Sequence, residues 1–167
     1  LGEGTGAGMI FGNTGGVMEA ALRTVYRVLE GKEAPADFYE LRPVRGLMNR
    51  KEAEVTIAGK NLRVCILYGT AAAEEFLAED ISGYHFVEVM TCPGGCISGA
   101  GQPDCGSVPV SDTVRKKRIQ SLYRADTRAE RRNSMDNPEI GTIYHEFFKE
   151  PLSLLSEKLL HTTYKRK

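Results

Sequence analysis

Leu62-Arg63-Val64-Cys65-Ile66-Leu67-Tyr68 is a short apolar run broken by a single charge, and its neighbours decide the fold. Ahead of it Glu54 to Ala58 alternates polar and apolar, and Gly59-Lys60-Asn61 joins the two stretches, which predicts a hairpin whose second strand is buried. Behind it Thr70 is placed to cap a helix running to about Ala78, with Ala73, Phe76 and Leu77 on its inner face. Tyr84 to Met90 then reads as a second buried strand. Strand, helix and strand in this order make a right-handed parallel crossover, and in open α/β sheets ligands collect beyond the carboxyl ends of such strands. Cys92 falls in that position.

Upstream, the chain opens as a glycine-rich loop with one apolar piece, Met9-Ile10-Phe11, followed by Gly12-Asn13-Thr14-Gly15-Gly16. Val17, Met18, Ala21, Leu22, Val25 and Leu29 then recur at helical spacing up to Gly31. Ala34 to Lys51, interrupted by Pro35, Pro43 and Gly46, reads as a connector with room for one short strand. Downstream of Pro103 the character changes. Asp112 to Arg128 is a basic helix whose apolar residues are Val114, Ile119, Leu122 and Tyr123, and a charged turn follows to Asn137. Pro138 and Pro151 each suit the first position of a closing helix, the first carrying Ile140, Ile143, Tyr144 and Phe147 and the second Leu152, Leu155, Leu159 and Leu160. The fold class expected is α/β, a partial parallel-sheet lobe with flanking helices followed by an extended helical carboxy-terminal tail.

Composition narrows the function. Lys plus Arg and Asp plus Glu stand at 22 each in 167 residues, so no overall field draws the chain to nucleic acid or an anionic membrane. No apolar run reaches the roughly 20 residues of a membrane helix, and Leu-Gly-Glu-Gly-Thr-Gly at the start lacks the basic and apolar parts of a signal peptide. A soluble, cytoplasmic setting is the expectation. The chain starts without methionine in mid-phrase, which implies a missing amino-terminal part of the same protein.

The four cysteines are Cys65, Cys92, Cys96 and Cys105, too few for a disulfide scaffold, and the last three crowd together around glycines. In Met90-Thr91-Cys92-Pro93-Gly94-Gly95-Cys96, two thiolates can face one cluster, the proline shapes the turn, and the glycines let backbone N–H groups approach without side chains in the way. Soft thiolates select iron-sulfur clusters or zinc. The plainer reading is two buried cysteines in a turn between strands, the better bet for an arbitrary pair. Repeated glycines after a buried strand shift that balance, and zinc would need four ligands where Cys92, Cys96 and Cys105 supply three. Cys65, inside an apolar strand, reads as core, and Cys105 as a free thiol in a polar loop. The opening glycines do not make a phosphate cradle: no Gly-x-Gly-x-x-Gly runs through Gly4, Gly6, Gly8 and Gly12. His85 reads as structural, His145 and His161 as surface or capping groups.

The phrase from Glu88 through Cys96 to Gln102-Pro103 closely resembles that of iron-only hydrogenases, which read Glu-x-Met-Ala-Cys-Pro-Gly-Gly-Cys before a glycine run and Gln-Pro. The opening Ile10-Phe11-Gly12-Asn13-Thr14-Gly15-Gly16-Val17-Met18-Glu19-Ala20 resembles the same family's loop-to-helix segment. Arg118 to Asp126, Asn133 to Pro138 and Leu159 to Tyr164 resemble its small-subunit region. The resemblance implies a division into residues 1–104, the end of the large-subunit catalytic domain, and 105–167, a fused small-subunit-like helical region.

It also implies roles. Cys92 would ligate a four-iron four-sulfur cluster, and Cys96 would ligate it and bridge to a two-iron subcluster with carbonyl and cyanide ligands. Gly94 and Gly95 would line the cluster, while Met90, Phe11 and Thr14 would line the catalytic pocket. The implied chemistry is reversible oxidation of H2 and reduction of protons, with ferredoxin or another redox carrier as partner. Thr91 stands where the family has alanine and Ala100 where a glycine is common, and neither change removes a ligand. The other two cluster cysteines and the proton-relay cysteine belong to motifs upstream of this chain. A non-catalytic cluster-assembly relative and a sensory hydrogenase relative are the alternatives. Arg128, Arg131 and Arg132 could meet an acidic carrier, although a solvated helix end explains them more simply.

Overall fold

A short helix, α1 (Gly6–Ile10), opens the computed structural model, which describes residues 2–164. The stretch had read as loop, since five residues are too few for a helix to persist alone. Two external supports hold it. Thr5 caps it by accepting the Gly8 N–H, and the Gly6 and Ala7 N–H groups donate to the carbonyls of Arg131 and Arg132 far down the chain. The long helix α2 (Gly16–Glu30) follows and stops at Gly31, whose left-handed backbone lets its N–H reach the Arg27 carbonyl. The connector after it carries two 3₁₀ turns, Ala36–Tyr39 and Arg42–Val44, and its first extended residue is Arg50.

Strands β1 (Arg50–Ile57) and β2 (Lys60–Tyr68) form the expected hairpin, but its turn is tighter than Gly59-Lys60-Asn61. Ile57 pairs directly with Lys60, and both residues between them, Ala58 and Gly59, have positive φ, as a two-residue turn matched to strand twist requires. Helix α3 (Thr70–Leu77) starts with Gly69, not Thr70, at its cap position and without a side-chain cap. It buries Ala72 and Phe76, whereas Leu77 is exposed, so the inner face is turned from the one expected. Strand β3 (Phe86–Met90) pairs parallel with β2, giving a mixed sheet in the order β1-β2-β3. It is an edge strand among the described residues. Phe86 and Val89 are exposed, and its buried residue is Glu88, so the expectation of a buried apolar strand fails here.

The two faces of the sheet have separate cores. Val55, Ile57, Val64 and Ile66 pack with Met18 and Leu22 of α2 and with Phe38 and Val44 of the connector. Cys65 and Leu67, alternating with those β2 residues, pack instead with Ala72 and Phe76 of α3, which places Cys65 in the core as read.

The tail begins with α4 (Asp112–Arg128), capped by Ser111 and bounded where the sequence placed it. Helix α5 (Pro138–Ile143) has Pro138 in its first turn and Asn137 as its cap, and runs into a π-helical turn, Tyr144–Phe148, which carries Phe147 beyond the helix. Helix α6 (Leu154–Leu160) starts later than Pro151 because Ser153 supplies the cap, accepting the Ser156 N–H. Leu154, Leu159 and Leu160 are exposed on it. No helix among the described residues is long and apolar enough to cross a membrane.

Candidate metal centre

The polypeptide leaves the carboxyl end of β3 at Met90, turns through Cys92–Gly95 and enters a 3₁₀ turn, Cys96–Ser98. The Gly95 N–H donates to the Cys92 carbonyl at 2.9 Å, which closes the turn. Gly94 and Gly95 both have positive φ. Gly95 also lies against the loop between α1 and α2: a β-carbon there would come within 2.7 Å of the Thr14 amide nitrogen, so no other residue fits.

Two main-chain hydrogen bonds join that loop to the cysteine turn. Thr14 N–H donates to the Gly94 carbonyl at 3.0 Å, and Ile97 N–H donates to the Gly12 carbonyl at 3.0 Å. The two phrases singled out in the sequence are therefore one structure. From the tail, Arg118 donates to the Ile97 carbonyl at 2.6 Å and the Pro103 carbonyl at 2.8 Å, and Arg115 donates to Ser98 Oγ at 3.1 Å. Cys96 faces a groove of about 360 Å³ that it lines with Gly12, Gln102, Lys117 and Leu122.

The residues expected at a site are distributed unevenly. Cys92 is half-buried and Cys96 exposed, both as free thiols, and Gly94 and Gly95 form the turn between them. Met90 is half-buried at the end of β3, and Phe11 is exposed on the loop ahead of Gly12. Thr14 is fully buried, its hydroxyl 3.5 Å from Lys51 Nζ. Cys105 is exposed in its own loop. His85 lies just before β3, where its Nδ1 accepts the Arg63 N–H. Arg132 is not a solvated helix end: it bonds Asp126 at 2.5 Å, and Arg131 pairs with Glu3.

Two buried ionisable residues were given no role in the sequence reading. Lys51 is buried on β1 and donates to the carbonyls of Thr14 and Gly46, both at 3.1 Å. Glu88 is buried on β3, and its carboxylate accepts the N–H groups of Gly15 at 2.6 Å and Met18 at 2.7 Å, capping α2 from the sheet. Burial pushes the Lys51 ammonium down to about 8, against the attraction of Glu88, and pushes the Glu88 carboxyl up despite its two backbone donors and Lys51. Alternation could have flagged both, since each stands at an inward-facing strand position where an apolar side chain belongs.

The turn suits an iron-sulfur cluster in donor type. It offers two free cysteines, Cys92 half-buried and Cys96 exposed, as soft donors. Among the described residues no three Cys, His, Asp or Glu side chains gather as a metal site.

Comparison with known proteins agrees with the architecture. The profile described as "Iron only hydrogenase large subunit, C-terminal domain" matches residues 1–100, and that described as "Iron hydrogenase small subunit" matches residues 112–167. The chain belongs to the iron-only hydrogenase family.

Among its relatives, the NADP-reducing hydrogenase subunit HndD of Solidesulfovibrio fructosivorans is 43% identical over 98% of this chain and 28% of its own length. Cytosolic iron-sulfur assembly component 3 of Mus musculus is 29% identical over 92% of this chain and 31% of that protein. A solved structure of an FeFe-hydrogenase HydA1 variant from Chlamydomonas reinhardtii superposes with a TM-score of 0.68 at 30% identity, covering 98% of this chain and 47% of that one. The chain thus spans between about a quarter and half of the relatives it matches.

Proposed function

We propose that this chain is the carboxy-terminal part of the catalytic unit of a hydrogenase that interconverts H2 with protons and electrons, with residues 1–104 and 105–167 as its large- and small-subunit-like regions. The observation that carries this reading is the union of the glycine loop 12–15 with the cysteine turn 92–96 through paired main-chain hydrogen bonds. Cys92 and Cys96 would hold a four-iron four-sulfur cluster, with Cys96 also reaching a two-iron subcluster that bears carbonyl and cyanide ligands. When bound, that group supplies the redox chemistry and the splitting of hydrogen.

This chain's own contribution is thiolate ligation and a rigid wall. Gly94 and Gly95 give the turn between the thiolates its left-handed backbone, with Gly95 pressed against residues 13 and 14, and Arg118 holds the carbonyls of Ile97 and Pro103 so that the segment after Cys96 keeps its course. Met90, Phe11 and Thr14 would border the reacting pocket once the upstream part of the protein is in place. Ferredoxin or a similar carrier would deliver electrons, in a cytoplasmic setting.

The test is anaerobic iron and acid-labile sulfide analysis of the full-length parent after maturation, with infrared spectroscopy of both parent and Cys96→Ser. Carbonyl and cyanide bands that disappear in the variant are expected. A cluster without such bands would favour an assembly-type protein, the second reading that the 29% identity to an iron-sulfur assembly component supports. A parent that binds no iron would overturn both.

A further inference from the structure

Lys51, Ile66 and Glu88 stand in one row across the sheet: Lys51 is the register partner of Ile66 on β2, and Ile66 is the partner of Glu88 on β3. All three are buried, under the start of α2. A row facing a helix ordinarily carries apolar side chains, because a buried charge must recover its lost hydration from partners. Here two of the three are ionisable, and both bond to the same peptide unit. Lys51 Nζ donates to the carbonyl of Thr14, and Glu88 accepts the N–H of Gly15, so the Thr14–Gly15 peptide is gripped at its oxygen by a cation and at its nitrogen by an anion.

That peptide is joined through Thr14 to the cysteine turn. Thr14's own N–H donates to the carbonyl of Gly94, which lies between Cys92 and Cys96. Gly15 cannot shift toward the connector to relax the grip, since even a β-carbon there would come within 1.9 Å of the Val44 carbonyl oxygen. The cap position itself, Gly15, admits no side chain, and the carboxylate that caps the helix comes instead from the strand that leads directly into Cys92.

We propose, resting on the reading that Cys92 and Cys96 hold a cluster, that Lys51 and Glu88 are positioning residues that set the turn between the two thiolates and, through their opposite charges, tune the reduction potential of that cluster. Reduction adds negative charge to the cluster, so a nearby cation favours the reduced form and a nearby anion the oxidised form. Removing either member leaves the other uncompensated in a dry site.

The test uses the full-length protein carrying its four-iron cluster, titrated redox-potentiometrically with electron paramagnetic resonance detection, as the parent and as Lys51→Met and Glu88→Gln. Iron content near the parent's is expected in both variants, with the midpoint potential shifted to more negative values in Lys51→Met and to more positive values in Glu88→Gln. Shifts of the same sign, no shift, or loss of iron without a shift in the retained clusters would each show a merely structural role and overturn the proposal. Should Lys51→Met fail to fold, the positive shift in Glu88→Gln still decides. A parent without iron overturns the cluster reading itself, a failure seen before any variant is compared.

Discussion

Two stripes of α2 run side by side and are equally dry, yet they hold the molecule by opposite means. Met18 and Leu22 pack against Val55, Ile57, Val64 and Ile66 of the hairpin. Glu19 and Arg23, each one position further along, are also fully buried, but against polar partners. Arg23 donates to both carboxylate oxygens of Asp126 on α4 at 2.9 Å and to Glu19 at 2.7 Å. Arg45 grips Glu19 with two further bonds, and Arg132 joins at Asp126. Tyr39 lies beneath both Arg23 and Arg132, with their guanidinium carbons 4.7 and 4.3 Å from its ring centre.

Apolar contact is non-directional and fails in small increments as shape is lost. The charged stripe fails abruptly, since removing one member leaves another charge buried and unpaired. It is also directional. Asp126 fits only where Arg23 and Arg132 converge, and so fixes how α4 and the turn after it sit on α2.

The strongest way to break this contrast is Asp126→Ala, which leaves the fully buried Arg23 with Glu19 as its one remaining carboxylate and removes the ion pair of Arg132. A loss of about 3–5 kcal/mol is expected by urea unfolding of the described chain. A loss under about 1 kcal/mol would mean that the network contributes little.

A pH experiment on Lys51 is the next largest. Its folded ammonium titrates near 8 rather than the ordinary 10.5, because burial penalises the charged form. Below about 8 both folded and unfolded chains hold the proton, and the penalty is constant. Between about 8 and 10.5 only the unfolded chain holds it, so the stability owed to this group rises with pH, by roughly 3 kcal/mol at most. The difference in urea midpoint between the chain and its Lys51→Met variant, followed from neutral pH to about pH 10, should carry that rise; a difference independent of pH would contradict it.

The smallest effect belongs to the apolar stripe's partner. Ile57→Val should cost about 1 kcal/mol, as expected for one methylene lost from a packed core. A cost above about 2 kcal/mol would show that the apolar face is as brittle as the charged one.

This contrast also explains what could be read in advance. The hairpin, α2 up to Gly31 and α4 from Asp112 to Arg128 were legible because period-two and period-3.6 patterns and their caps are local signals. The cysteine turn was legible as a phrase, and its place beyond β3 followed from the strand-helix-strand order. Helix α1 was not, because its amides are satisfied by carbonyls from the tail. Leu77 misled because α3 is rotated so that Ala72 and Phe76 cover Cys65 and Leu67. Arg132 reads as part of a solvated helix end, since a letter code does not distinguish a solvated ion from a buried, paired one.

What the sequence determined by itself is the hairpin, α2 and α4, and the glycine-rich turn that carries Cys92 and Cys96. Tertiary structure alone decided that Lys51 and Glu88 close on one peptide and that Arg23 meets Asp126. The physical reason is range: backbone preference and apolar periodicity act over a few residues, while a buried charge is stable only beside a partner that the folded chain brings from far along the sequence.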